Sequence, residues 1–489
     1  MTTEALVGRH LSLPLSGVNM QAIKSGLTWH GEIREQDVLL YTVDATHVHL
    51  PRAFRGIVKA GGGPLFHLVD QRPASYPRVE ITPKVKLDHV PAKGGGYIPS
   101  GSNLQQRAIQ ALASGQDGGL ELYCGAGKTL ITLYHQALRK VPMLVVVDNE
   151  PLLEQWMAQA ERHFIREPGS VGIWKGKKEE WKRGTVFTTY QTLSRRAEGL
   201  TEEQRRWFGI IAFDEGHHLS AEGYSTCAGA FYGQRLNITA TPERADGAHQ
   251  LTLYHMGGSL YQDLKPPIKS RNILLWTGTK TLQAVTPSKD PWASERNLAR
   301  ISAMLSCDAS RRERVIKLLR QWHNEGDQTL VLTRSLVSIT NHLFAWYGLP
   351  APVTNPKDLD QLEERPELLA GLLSTHKDVG VLAREVNKSD RSQAADKDLI
   401  FSITKFGREG FDSPRLRRVL LLEPVSDAGL LQQILGRVSR PYPGKLEAET
   451  YALIDDHPQL IRMAKTTKTN LLHWPEYKGG PLHFAKGHL

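Results

Sequence analysis

Residues 119–129 read GLELYCGAGKT, a run whose residue types and order could hold phosphate. A short apolar segment (Leu120, Leu122, Tyr123) leads into Gly125-Ala126-Gly127 and then Lys128-Thr129. An apolar periodicity follows through Leu130, Ile131, Leu133, Tyr134 and Leu138. That is the pattern of a buried strand, a glycine turn and a helix. The glycines let backbone N–H groups wrap phosphate oxygens, and the helix N-terminus adds positive potential. Lys128 can reach the phosphates and the Thr129 hydroxyl can coordinate Mg²⁺. The strict phosphate-loop pattern wants Gly where this chain has Leu122, so the run alone also fits a glycine turn before an ordinary helix.

Two further stretches supply what such a loop lacks. IIAFDEGHH (residues 210–218) is an apolar strand ending in Asp214-Glu215. An aspartate there can hold Mg²⁺, and a neighbouring glutamate can orient and deprotonate water. A rival metal site of Asp214, His217 and His218 lacks ligands at helical spacing. LLQQILGRVSRP (residues 430–441) reads as a helix with Arg437 and Arg440 on successive turns, placed to stabilise charge on a transferring phosphoryl group. Alone, those arginines equally fit surface ion pairs. Thr239 and Thr241 flank Ala240 after another buried strand, where their hydroxyls can bond the Asp214-Glu215 turn. Thr189, Thr333, Arg334 and Thr404 sit at strand ends, a placement that suits sequence-independent phosphate contacts.

The elements that must position these groups follow from the rest of the chain. At 489 residues the chain is too long for one core, and two to four domains are expected. No apolar run is long enough to span a bilayer, and MTTEALVGRHLSLPLSG has no signal-peptide pattern. Three scattered cysteines fit a reducing cytoplasm. A formal net charge of +10 points to a polyanionic partner, most often nucleic acid. Residues 1–97 read as a small β-rich, basic domain, with Lys93-Gly94-Gly95-Gly96 as a linker. From Gly101, strands and helices alternate, which implies a parallel doubly wound sheet over residues 98–270. A second α/β block occupies residues 271–489. The basic stretch WKGKKEEWKRG (residues 174–184) fits either a solvated loop or an extension of a nucleic-acid path.

DEGHH resembles the DEAH/DExH motif II of superfamily 2 helicases, and other segments match that superfamily in order. CGAGKT resembles motif I. Ser102-Asn103-Leu104-Gln105 stands where the family has Arg-x-Tyr-Gln, so Gln105 is the match for its adenine-reading glutamine. VVVDNEPLLEQW resembles motif Ia, FTTYQTL motif Ic, ITATPER motif III and LVLTRS motif IV. ITKFGREGFDSP resembles motif V at Thr404, Glu409, Gly410 and Asp412. QQILGRVSR resembles motif VI at Gln433, Gly436, Arg437 and Arg440. The resemblance covers residues 101–456.

It implies an α/β fold of two tandem RecA-like doubly wound parallel-sheet lobes, preceded by the small β-rich N-terminal domain. It implies ATP and Mg²⁺ as cofactors. Gln105, Gly125, Ala126, Gly127, Lys128, Thr129, Gly410 and Asp412 would hold nucleotide, and Thr129 and Asp214 the metal. Catalysis would fall to Lys128, Glu215, Arg437 and Arg440, and coupling to His217, Thr239, Thr241 and Gln433. Thr189, Thr333, Arg334 and Thr404 would contact nucleic acid. Within the superfamily the chain is most similar to the UvsW, RecG and XPB group, with phage branch-migration enzymes of the UvsW kind nearest in size. That implies work on branched DNA (forks and four-way junctions) in the cytoplasm, moving 3′ to 5′. RNA unwinding, or duplex translocation without strand separation, are the alternatives.

Overall fold

A computed structural model of the chain describes residues 3–29, 38–54, 66–91, 97–99, 101–216, 219, 224–242, 249–265, 268–280, 291–358, 366–404, 413–440, 442, 444–473 and 485–488. The chain divides into two compact units, Met1–Leu264 and Lys265–Leu489. Among the described residues no helix is long and apolar enough to cross a membrane.

The first unit opens with a five-stranded sheet. Its strands are β1 (Thr3–Val7), β2 (Leu11–Pro14), β3 (Thr42–Val43), β4 (His47–Leu50) and β5 (Phe66–Asp70), in the order β3-β4-β2-β1-β5. Alternation along β2 and β4 buries Leu11, Leu13, Val48 and Leu50. They pack with Ile23 and Leu27 of α1 (Met20–Leu27), whose N-terminus Asn19 caps. Arg52 follows β4 and is 2% exposed. It donates to both carboxylate oxygens of Asp117 at 2.6 Å and to the carbonyls of Gly8, Tyr232 and Gly233. A buried guanidinium is tolerated only when its charge and donors are met. Arg52 thereby ties this sheet to the α/β part of the same unit.

That α/β part holds eight strands: β6 (Gly118–Leu122), β7 (Met143–Val147), β8 (Val171–Lys175), β9 (Lys178–Glu179), β10 (Thr185–Thr189), β11 (Ile210–Asp214), β12 (Gln234–Thr239) and β13 (Ser259–Asp263). Their order is β9-β8-β10-β7-β11-β12-β6-β13, parallel throughout except for β9. β6, β7, β10 and β12 are buried at every position. Continuous apolar runs such as MLVVV are what a strand covered on both faces requires. The helices α2 (Leu104–Leu112), α3 (Lys128–Arg139), α4 (Glu150–His163) and α5 (Tyr190–Arg196) belong to this layer. Because the strands are parallel, Tyr123, Thr189, Asp214 and Thr239 fall at one edge of the sheet, where such folds bind ligands.

The second unit is built on seven strands: β14 (Lys269–Lys280), β15 (Gln328–Thr333), β16 (Val379–Leu382), β17 (Leu399–Ile403), β18 (Leu416–Leu421), β19 (Glu447–Asp456) and β20 (Ala485–His488). The order β16-β17-β15-β18-β19-β14-β20 is parallel at every pairing. With α6 (Pro291–Cys307), α7 (Ala309–Asn324), α8 (Leu336–Trp346), α9 (Ala428–Val438) and α10 (Pro458–His473), this makes the second of two tandem RecA-like α/β lobes. Arg311 of α7 and Asp455 of β19 form an ion pair at 2.8 Å with neither side chain exposed. β20 pairs in parallel with β14. One local reading is corrected here. The helix carrying Arg437 ends at Val438, so Arg440 is not on its next turn. The residue before a proline is driven out of the α region, and residue 441 is proline.

Candidate nucleotide site

The phosphate loop is built by two glycines. Gly125 and Gly127 adopt φ of 89° and 88°, a region that strains any side chain. At Gly127 a Cβ would also lie 2.6 Å from Gln105 Nε2. Leu122, the departure from the strict pattern, is fully buried at the end of β6 and precedes the turn. It is a core residue, and the loop's special backbone begins after it. Lys128 opens α3 and folds back over the loop, its Nζ donating to Leu122 O at 3.0 Å and toward Tyr123 O at 3.5 Å.

Gln105 meets this loop from α2. Its Nε2 donates to Ala126 O at 3.2 Å, and its Oε1 accepts from Asp88 N at 2.6 Å. Asp88 in turn accepts from the backbone of Gln105 and Gln106 at 2.9 and 3.1 Å. It caps α2, where Asn103 makes no side-chain cap. Gln105 therefore braces the loop with both ends of its carboxamide. Asp88 has φ of 57° and stands 17 residues before Gln105, with no local pattern to mark it.

The carboxylate pair lies two strands away, with β12 between β11 and β6. Trp156 Nε1 donates to Asp214 Oδ2 at 2.7 Å, and Tyr190 OH donates to Asp214 O at 3.0 Å. Glu215 has φ of 48°, and its N–H donates to Ile238 O at 2.7 Å. That left-handed turn aims its carboxylate at β12, where Thr239 Oγ1 donates to Glu215 Oε2 at 2.8 Å. Thr241 N donates to the same hydroxyl at 2.9 Å. Burial first, and then the charge of Glu215, push Asp214 above the usual carboxylate range; Trp156 and the Lys128 ammonium act the other way.

The residues suit a magnesium nucleotide. The Thr129 hydroxyl and Asp214 carboxylate are hard oxygen donors of the kind Mg²⁺ takes. At Gly127 of the Gly125–Gly127 turn a Cβ would meet Gln105, and the half-buried acid, raised by desolvation and by Glu215, would be relieved by a cation.

Other sequence-nominated residues fall elsewhere. Thr189 is buried, and its Oγ1 caps α5 by accepting from Thr192 N at 3.3 Å. Thr333 is fully buried, with its hydroxyl 3.2 Å from Glu423 Oε1 and 2.7 Å from Ser302 Oγ. Arg334 N donates to Glu423 Oε2 at 3.2 Å, and Thr404 Oγ1 to Thr333 O at 3.0 Å. These three hydroxyls serve the fold. In the second unit, Arg437 lies in the last turn of α9, and Arg440 N donates to Arg437 O at 3.4 Å. Lys445 holds that chain by donating to Arg440 O, Leu416 O and Pro414 O. Gln433 is buried, and its Oε1 has no hydrogen-bond partner among the described residues. His217, Gly410 and Asp412 lie outside the described residues. Along residues 174–184, Trp174 is buried and donates to Glu179 Oε2 at 2.7 Å. Lys175 pairs with Glu150, Lys182 with Glu203, and Arg196 with Glu179.

Residues 100–244 match the family model described as the type III restriction enzyme res subunit. The chain is 36% identical over 159 residues to the DNA 3′-5′ translocase XPB2 of Sulfurisphaera tokodaii, covering 32% of this chain and 34% of that protein. A protein of Acanthamoeba polyphaga mimivirus, provisionally named an ATP-dependent RNA helicase, is 24% identical over 371 residues, 75% of this chain and 64% of that protein. A probable helicase of Escherichia phage T5 is 24% identical over 339 residues, 68% of this chain and 66% of that protein. The matched segments thus span between a third and just under two thirds of these relatives. With the tandem lobes and the loop-to-carboxylate geometry, the matches support a superfamily 2 helicase, an ATP-hydrolysing class of enzyme.

Proposed function

We propose that this chain is an ATP-dependent DNA translocase or helicase that remodels branched DNA, moving 3′ to 5′. The observation that carries the reading is the convergence of Lys128, Asp214 and Glu215 at one edge of one parallel sheet. Gly125 to Lys128 offer backbone N–H groups and an ammonium to phosphates, and Thr129 and Asp214 offer oxygens to a cation. Bound Mg·ATP would supply the phosphoanhydride bond and the charge that holds it. Glu215, aimed by its left-handed backbone and by Thr239, orients and deprotonates water. Arg437 and Arg440 stabilise charge on the transferred phosphoryl group. Thr239 and Thr241 relay the state of Glu215, and Gln433 and His217 share in coupling. The basic N-terminal segment reads the fork, and the backbone at Thr189, Thr333, Arg334 and Thr404 tracks a strand.

ATPase measured with single-stranded, duplex, forked and four-way DNA, and with RNA, tests this. Stimulation greatest on branched DNA is expected, together with loss of turnover in Lys128→Ala at retained salt-sensitive DNA binding. Stimulation by RNA alone would replace the reading with RNA unwinding, which the mimiviral relative's name favours. Hydrolysis on duplex without strand separation would leave a translocase.

A further inference from the structure

Asp214 is gripped from two sides by residues of no assigned role. Trp156 lies in the second turn of α4, 58 residues before Asp214 in the chain, and is 2% exposed. Its indole N–H reaches Oδ2 at 2.7 Å. Tyr190, the first residue of α5, is fully buried and reaches the main-chain carbonyl of the same residue at 3.0 Å. One bond sets the direction of the carboxylate, and the other pins the backbone from which it hangs. Both donors come from helices that begin at the carboxyl ends of β7 and β10. Both rings are locked by the core: Trp156 among the apolar residues around β7, and Tyr190 stacked between Phe213 and Tyr224 at ring distances of 6.2 and 5.5 Å. A donor with so little rotameric freedom presents its hydrogen at a fixed point, which is what holding a ligand atom within a fraction of an ångström demands.

We infer that Trp156 and Tyr190 are positioning residues for Asp214, fixing the carboxylate for the cation that accompanies the nucleotide. The inference rests on the reading of this site as an ATP site. A core aromatic alone would need no N–H, and Phe in either place would fill most of the same volume. Removing one charge-assisted hydrogen bond from an otherwise intact site is worth about 10-fold.

The experiment compares the full chain with Trp156→Phe and Tyr190→Phe. A fluorescent ATP analogue is titrated in EDTA and across a Mg²⁺ series, and ATPase is measured across the same series. We expect Trp156→Phe to bind nucleotide as the parent does in EDTA. Its Mg²⁺ concentration for half-maximal binding should rise about 10-fold, with kcat falling more than KM. Tyr190→Phe should move the same quantities in the same direction, by less. If Trp156→Phe lowers only the melting temperature, with its Mg²⁺ response unchanged, Trp156 is packing and the inference fails. Equal loss of binding with and without Mg²⁺ would overturn it as well. A parent chain that neither binds nor hydrolyses ATP would instead overturn the functional reading beneath it.

Discussion

At the carboxyl end of β11 the first unit sets Asp214 and Glu215; just past the end of β18 the second sets Glu423. Both strands are central in parallel sheets, and both acids are raised or held by burial, yet their neighbours differ. Glu423 is 4% exposed and accepts from Ser302 Oγ at 2.6 Å, from Thr333 Oγ1 and from Arg334 N. Its oxygens are taken up inside the lobe, between α6 and the end of β15. Asp214 lies within the electrostatic reach of the Lys128 ammonium, and its side chain receives an indole N–H on one oxygen. The same topology thus makes one strand-end acid a fastener and leaves the other for the cation role proposed above. What separates them is that hydroxyl and amide donors close on Glu423, whereas the lysine of the phosphate loop pulls on Asp214.

The largest test of that contrast concerns the one place where the second unit is assigned to chemistry. Arg437→Ala should lower DNA-stimulated kcat by about 10³–10⁵-fold with nucleotide binding retained. A variant with normal turnover would leave the second unit without a catalytic arginine at 437. Next, Glu215→Gln should reduce kcat by about 10²–10⁴-fold, the range of general acid–base catalysis, in single-turnover hydrolysis. Glu423→Gln should stay within a few-fold of the parent in the same assay. If the two variants lose turnover alike, the comparison breaks.

Away from the chemistry, Arg52→Ala should destabilise the first unit by about 3–5 kcal/mol in urea unfolding, because it leaves the half-buried Asp117 without its charge partner, with the Arg235 amide still donating to it. A change under 1 kcal/mol would show the pair to be solvated. The smallest effect is a pH slope. Burial raises Glu423 above its ordinary range, against the pull of Ser302 and Arg311. Its folded value exceeds its unfolded one, so its ionisation costs stability once pH passes the unfolded value, and the cost is complete above the folded one. The melting temperature of Glu423→Gln relative to the parent should therefore improve as pH rises from about 4 to about 8. A flat difference would mean that the three donors already offset burial.

The site was legible where chemistry requires a local pattern. Gly125 and Gly127 had to be glycine, and a buried strand ending in Asp-Glu announces itself. Arg437 and Arg440 were also visible, but the helix carrying Arg437 ends at Val438, short of Arg440 and of the proline at 441. Gln105 stood out by its match to a base-reading glutamine, and its bonds to Ala126 and Asp88 came only with the structure. Strand-end threonines looked like phosphate contacts because a hydroxyl at that position has two uses, and only packing chooses. Thr333 went to Glu423, an acid that no motif marked. No sequence signal marked Trp156 as a partner of Asp214, since apolar periodicity records burial and is blind to where an N–H points.

By itself, the sequence determined the alternation of strand and helix, the positive-φ turn of the phosphate loop and the order of the chemical residues. Each of these depends on backbone conformation or burial over a few neighbouring positions. Only the tertiary structure decided that Trp156 and Tyr190 hold Asp214, that Asp88 caps α2 and that Arg52 closes on Asp117. Those partners stand 58, 24, 17 and 65 residues apart. Over such separations no local preference links two side chains, and the packing of whole elements sets which donor meets which acceptor.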